Sequence, residues 1–258
     1  MRLSISTIVL LCCLLPIATR AELPLGELAL YMSFDDIQGN KVMDGSEHGN
    51  HGTIMKASIA KGKGKYGNAM EFKGGDNHAL IKNSESLSIS GEVTISAWVN
   101  WNDAPGDGWL TVMANGTQGG PWENYGLFVN RGSRYFYFTL SIGAVAVMNS
   151  GNGSTEPEKW THCVCTYDGK DAKIYVDGDL TNIVPHGGKL EARDQDLRLG
   201  HRFGSGHWYN GYLDEIAVFS VALDEDQVKE ASFNIEEALD VEVDGKLATL
   251  WGKMKIGR

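Results

Sequence analysis

The chain has 258 residues, 42% hydrophobic and 22% charged, with a formal net charge of −10 at pH 7. Such an acidic surface is repelled by nucleic-acid phosphates and by anionic lipid, which excludes both as expected partners. Of the 4 cysteines, Cys12 and Cys13 lie in an apolar N-terminal run and only Cys163 and Cys165 remain for the folded part, so no disulfide framework is available; a chain of this length buries enough apolar surface without one.

The first segment reads as an export signal. Arg2 supplies a positive charge, 6–17 is apolar, and Thr19-Arg20-Ala21 is a small-x-small cleavage sequence. The apolar run is shorter than the roughly 20 residues of a membrane-spanning helix. The expected product is secreted, periplasmic or displayed at the cell surface, with no membrane span after signal cleavage. Removing 21 residues of 258 leaves 237, and losing Arg2 and Arg20 takes the charge from −10 to −12. That length suits one large all-β domain, or one domain with a tail; the boundaries read here are 1–21 signal, 22–232 domain and 233–258 tail.

Strand patterns then follow one another. LALYMSF (28–34) is the first, followed by 69–72 and 79–81. VTISAWVNW (93–101) alternates cleanly, with Val93, Ile95, Ala97 and Val99 on one face. Further strands are expected at 109–114, 125–130, 135–141 and 144–149. The segment WTHCVCTYDGKDAKIYVDGDL (160–180) holds two Asp-Gly pairs, Asp168-Gly169 and Asp177-Gly178, each closing an apolar run. Asp-Gly tolerates the positive φ of a tight turn, so the segment predicts a three-stranded antiparallel meander. Cys163 and Cys165 are two apart on one strand and share a face, which makes them small core residues rather than a disulfide or metal pair. Strands at 197–200 and 212–220 complete the series, and DEDQVKEA (224–231), with acids at its start, predicts one short helix. Residues 247–255 fit either a short amphipathic helix or an extended tail. Many strands joined by glycine-rich turns indicate a sandwich or a barrel.

The order of motifs resembles secreted bacterial LamG-like jelly rolls of the concanavalin A-like lectin/glucanase superfamily. The residues carrying the resemblance are LALYMSFDD with DGSEHGNHG (44–52), then YGNAMEF (66–72), VTISAWVNW, the WTH…TYDG…YVDG meander, and NGYLDEIAVF (210–219) followed by VALDED (221–226). The resemblance implies an all-β, two-sheet antiparallel jelly-roll sandwich. It also implies that a carbohydrate is often held on one face or its rim, and that many members carry one calcium ion. In that pattern acids stand at the positions of Asp35 and Asp214, with Asp36 and carbonyls of 66–68 available to complete an oxygen shell.

Other signals are weaker. His48 and His51 form H-x-x-H in a Gly/Asn-rich loop without a third ligand, and the same segment in the family is a structural turn. Gly62 to Gly67 matches G-x-G-x-x-G, but it lacks the strand before and helix after that a dinucleotide site needs. A glycosidase needs two facing carboxylates; Asp214 and Glu215 are adjacent and on a regular strand would point to opposite faces. His162 is expected to be packed or hydrogen-bonded in its strand. Trp98 and Trp160 belong to the family's core-strand motifs. The aromatics of glycine-rich loops are the candidates for stacking on a sugar, and the ligand-binding set expected from the two rim loops is Asn115, Trp122, Tyr125, Arg202, His207 and Trp208. The expected function is non-catalytic recognition of a carbohydrate or cell-surface ligand with a structural calcium (Ca2+) at Asp35 and Asp214. A glycoside hydrolase or lyase of the same superfamily, or a protein–protein adhesion module, are the alternatives.

Overall fold

The computed structural model describes residues 21–103, 108–116, 123–143, 145–204, 206–232 and 235–240. The segment read as an export signal (up to residue 20), Trp122 and the residues beyond 240 lie outside the described residues. Seventeen strands are present. They are β1 (Leu28–Met32), β2 (Ile37–Gln38), β3 (Lys41–Val42), β4 (Gly52–Met55), β5 (Ser58–Ala60), β6 (Ala69–Lys73), β7 (His78–Ile81), β8 (Val93–Trp101) and β9 (Trp109–Asn115). There follow β10 (Tyr125–Asn130), β11 (Tyr135–Ser141), β12 (Val145–Asn149), β13 (Thr161–Tyr167), β14 (Asp171–Val176), β15 (Asp179–Pro185), β16 (Leu197–Leu199) and β17 (Asn210–Phe219).

They form two antiparallel sheets. One runs β15-β14-β13-β8-β17-β6-β5, with β1 paired to the far end of β17; the other runs β12-β11-β10-β9-β16-β7-β4-β3-β2. The sandwich and the strand-rich reading both hold. β2, β3, β4 and β5 are absent from the sequence reading because two to four residues in Gly/Asn-rich surroundings carry no readable alternation.

The period-two pattern decides which side chains meet between the sheets. Val93, Ile95, Ala97 and Val99 of β8 join Leu110 and Val112 of β9, Leu127 and Val129 of β10, and Phe136 and Phe138 of β11 in one core. Cys163 and Cys165 lie in this core as free thiols, with sulfurs 3.9 Å apart. The meander closes as its Asp-Gly pairs demand. Asp177 and Gly178 have φ of 51° and 87°, which matches a two-residue turn with both central residues in the left-handed region.

A second, smaller core covers the outer side of the eight-stranded sheet. Val164, Tyr175, Ala217 and Phe219 face Leu23, Leu28, Tyr31 and the helix α1 (Glu225–Ala231) through Val228 and Ala231. Asp224 caps α1: its carboxylate accepts from Gln227 N–H while the Gln227 side chain accepts from Asp224 N–H. Ile235, in a helical turn at 235–240, is fully buried in the same cluster. The folded unit therefore extends past the boundary read at 232. Trp98 is buried on this outer side, near Tyr66 and His162 and beneath the Lys65 ammonium, 4.2 Å from the ring; it is not part of the core between the sheets. Trp160 is half-buried.

Gly200, where β16 ends, has φ +83° and sits so close to Phe72 that a Cβ would lie 2.2 Å from its ring. Gly200→Ala adds backbone strain and overpacking together and is expected to cost at least about 2 kcal/mol. The urea midpoint measures this; a loss under about 0.5 kcal/mol, the scale of an ordinary surface change, contradicts the packing described.

Candidate functional site

The outer face of the nine-stranded sheet is open where the other sheet's is covered. Side chains that alternate away from the core line a cavity of about 160 Å³ there: Trp109, Phe128, Tyr137 and Thr139 from β9–β11, with Glu123, Arg202 and His207 from the flanking loops. The indole of Trp109 packs on Tyr137 with centroids 4.9 Å apart and faces His207 at 6.4 Å. Gly126 makes room for this wall, because a Cβ there would come within 2.9 Å of both the Phe128 ring and Thr139 Oγ1. Thr111 holds the loop from below, its N–H and hydroxyl both donating to His207 O.

Glu123 sets the polarity of the cavity. Its carboxylate is 4% exposed and Oε1 accepts from Arg202 Nε, while Oε2 is buried with no hydrogen-bond partner among the described residues. A buried acceptor left in this state calls for a donor.

Of the residues expected from sequence, Arg202 and His207 line this cavity. Tyr125 does not; it is fully buried between the sheets and its hydroxyl donates to Leu87 O, so its ring offers no face to a ligand. Asn115 is also fully buried, its amide donating to Gln195 O. Trp208 is 42% exposed and is not a lining residue. Trp122 lies outside the described residues. Glu123, Phe128, Tyr137 and Thr139 were missed. A signal existed: Tyr135-Phe136-Tyr137-Phe138 places aromatics on both faces of one strand, and a face that is merely solvated needs none.

A second constellation lies where β1, β17 and the loop before β6 meet. Register between β17 and β8 slips between Asp214 and Ala217, and Glu215 has φ +50°. This bulge overturns the expectation that Asp214 and Glu215 point to opposite faces. Both point outward: Asp214 Oδ2 accepts from Tyr66 N–H at 3.0 Å, and Glu215 Oε2 accepts from the Tyr31 hydroxyl at 2.7 Å. Asp35 Oδ1 accepts from Asn68 N–H at 2.9 Å. The intervening loop is a cradle of oxygens. A Cβ at Gly64 would lie 2.2, 2.3 and 2.6 Å from Tyr66 O, Asn68 O and Asp214 Oδ2, and one at Gly67 within 2.4 Å of both Asp35 carboxylate oxygens. Asp36 is exposed, and its carbonyl accepts from Met43 N–H.

Among the described residues no side-chain cation is paired with these carboxylates. Burial, with the neighbouring Glu215 charge adding to it, pushes Asp214 up to about 8. Burial likewise raises Glu215 to about 7, with the charges of Glu236 and Asp35 contributing. Glu215 Oε1 is buried without a partner. Carboxylate and carbonyl oxygens of this kind are the donors that a hard cation takes.

Two other groups are structural. His51 Nδ1 accepts from Asp44 N–H, and the Asp44 carboxylate accepts from the N–H groups of Tyr31, Ser46 and Asn50, which makes 44–52 a turn. Ser96 Oγ and His162 Nε2 are 2.8 Å apart, but both residues are fully buried and burial lowers His162 to about 3, so the pair meets no substrate.

Residues 73–229 match the Laminin_G_3 family, described as concanavalin A-like lectin/glucanases superfamily. The chain belongs to this superfamily. No curated protein is detectably similar in sequence. Among solved structures, domain 4 of AbnA, a GH43 extracellular arabinanase from Geobacillus stearothermophilus in complex with arabinotriose, superposes with TM-score 0.64 at 18% identity, covering 80% of this chain and 98% of that one. The binding domain of Paraclostridial Mosquitocidal Protein 1 gives TM-score 0.64 at 14% identity, covering 80% of this chain and 52% of that one. Trypanosoma rangeli sialidase in complex with 2,3-difluorosialic acid gives 0.61 at 17%, covering 81% and 33%. The jelly-roll fold is thereby shared with binding domains and with part of a sialidase. No helix among the described residues is long and apolar enough to cross a membrane.

Because Asp214 is held above its ordinary value, the folded chain keeps a proton that the unfolded chain releases near pH 4. Stability from the neutral form is full below that pH and is lost as pH rises through about 8. In chelator, Asp214→Asn should therefore gain on the wild type by more than about 1.4 kcal/mol, one pKa unit's worth, between about pH 5 and pH 8.5. Comparing the two proteins removes the buried histidines, whose shifts act in the opposite sense. A pH-independent difference in urea midpoint rules out the shift.

Proposed function

We propose that the chain is an exported, non-catalytic binding module that takes one sugar unit of a carbohydrate in the Trp109–Tyr137 cavity, with a structural calcium in the Asp35–Asp214 cradle. The observation that supports binding most directly is the buried, unpartnered Glu123 Oε2 in a cavity walled by aromatic rings. Sugars present C–H faces that pack on such rings and hydroxyls that donate to a carboxylate; Arg202 pairs with Glu123 and orients it. Hydrolysis needs two carboxyls about 5–10 Å apart. Glu123 is the one acid among the described lining residues, which favours binding over turnover. A complex of the arabinanase domain with arabinotriose is consistent with a carbohydrate ligand for this fold.

Calcium fits the cradle by donor chemistry: carboxylates of Asp35 and Asp214 with carbonyls of Tyr66 and Asn68, crowded around positions where only glycine is tolerated. The ion would supply the positive charge that the raised carboxyls lack and tie β1 to β17 through the loop before β6. Asp214 and Glu215 would then ionise together, and Tyr31 would keep Glu215 oriented by its hydroxyl.

Two measurements test these readings. On a glycan array, the wild type should give a defined set of hits that Trp109→Ala and Glu123→Gln each weaken at least about tenfold, one buried contact's worth; no hits with a folded protein would refute the carbohydrate reading. Saturating calcium should raise the melting temperature by several degrees over chelator, since an ion at about 100 times its Kd stabilises by about 2.7 kcal/mol. Asp35→Asn combined with Asp214→Asn should abolish the rise, and identical melting of the wild type with and without calcium would exclude the ion.

A further inference from the structure

We propose that Asp76, His78 and His201 form a second metal site, for a divalent ion of the zinc class, with one coordination position open to solvent. Asp76 and His78 stand two apart in the chain and His201 is far from both, so no contiguous motif announces the set. The sheet brings them together: β16 pairs with β7 in the register Leu199↔Ala79, so His78 at the start of β7 stands beside the residues that follow β16. Asp76 lies in the turn leading into β7.

The geometry is that of a partly assembled first shell. Asp76 Oδ1 lies 3.5 Å from His78 Nδ1 and 3.7 Å from His201 Nδ1. One donor atom from each residue falls within 4.8 Å of the other two. Donors bound at 2.0–2.1 Å to a tetrahedral ion stand about 3.4 Å apart, so closure needs only small movements. Both imidazoles are buried, at 8% and 6% side-chain exposure. Neither ring nitrogen of His201 has a hydrogen-bond partner of good geometry among the described residues. A buried ring left in that state is costly, and a metal ion takes up the lone pair. Burial also holds both rings below their ordinary pKa, in the neutral form that ligates.

The donor set distinguishes this site from the oxygen cradle. Two imidazoles and one carboxylate select zinc and its neighbours over calcium. His78 Nδ1 also lies 3.1 Å from Asp76 O, a hydrogen bond in which Nδ1–H donates; coordination through that nitrogen gives up this bond and places the ring proton on Nε2. Asp76 is 55% exposed, which leaves the fourth position to water. Two cations oppose the ion. Lys56 Nζ holds Asp76 Oδ2 at 2.9 Å, but it is 68% exposed and leaves Oδ1 to the rings. Arg198 is stacked on Phe203 at 3.9 Å and repels both imidazolium forms. The site is accordingly weaker than a closed four-ligand structural zinc site. The proposal does not depend on the sugar-binding reading, since no sugar enters it.

The test is a cobalt(II) titration of the untagged full chain followed by visible absorption, with zinc competition. One equivalent should give the intense bands of a four-coordinate N/O site, and zinc should bleach them. His201→Ala and Asp76→Asn should each weaken binding at least about 100-fold, beyond the 10–100-fold typical of outer-shell changes. Asp76→Asn alters an exposed side chain and carries the test should His201→Ala fail to fold. His48→Ala should leave the titration unchanged. Absence of the bands at one equivalent, bands that survive Asp76→Asn, or bands lost in His48→Ala overturns the proposal.

Discussion

Two carboxylates buried side by side on the longest strand are the constraint around which the eight-stranded sheet is arranged. Asp214 and Glu215 would point to opposite faces of a regular strand, and one of them would enter the apolar core. The bulge at Glu215 avoids that by turning both outward. Beyond the bulge, β17 continues with Ile216 and Val218 again facing inward, so the core is continuous past the irregularity. The opposite edge of β17 is divided at the same place: β6 pairs with its first half and β1 with its second. The chain's first strand, its last strand and the glycine loop before β6 therefore converge on one set of oxygens. Like charges cannot be crowded in a low dielectric without protons or a cation, and the calcium we propose is the natural solution at neutral pH.

The two outer faces have separate fates for a simple reason. The N-terminal segment, α1 and the helical turn at 235–240 cover the eight-stranded sheet, and among the described residues no such element lies on the nine-stranded one. Aromatic side chains there have no covering element, yet they are arranged against one another and around an acid–arginine pair. The segment after β16 links this face to the histidine cluster. His201 faces Asp76, and Arg202, its neighbour, holds Glu123 in the cavity. A metal ion on the first would steady the backbone that presents the second.

Much of the frame is legible in the chain itself. Alternation in β8, in the meander and in β10–β11 locates the long strands, because a period of two is a local property of a half-buried strand. Asp-Gly at 168–169 and 177–178 marks the turns, because positive φ is a property of the residues present. The acids that open 224–231 announce the helix start. Of the cavity, Arg202 and His207 were legible through their glycine-rich loop, and Trp109 as an aromatic beside another. Tyr125 misled because it begins a strand beside a loop, and whether it points inward depends on which sheet face is covered.

Sequence alone determined the class of fold and the strands long enough to show a period. Tertiary structure alone decided three things. It chose the outward direction of Glu215, since a positive φ at a non-glycine residue has no sequence signature. It gave Gly64 and Gly67 their role, since their lack of a side chain matters only where oxygens from distant segments crowd them. And it set Glu123 beside Arg202 and Asp76 beside His201, pairings made by hydrogen-bond register between strands far apart along the chain, where no local pattern records the contact.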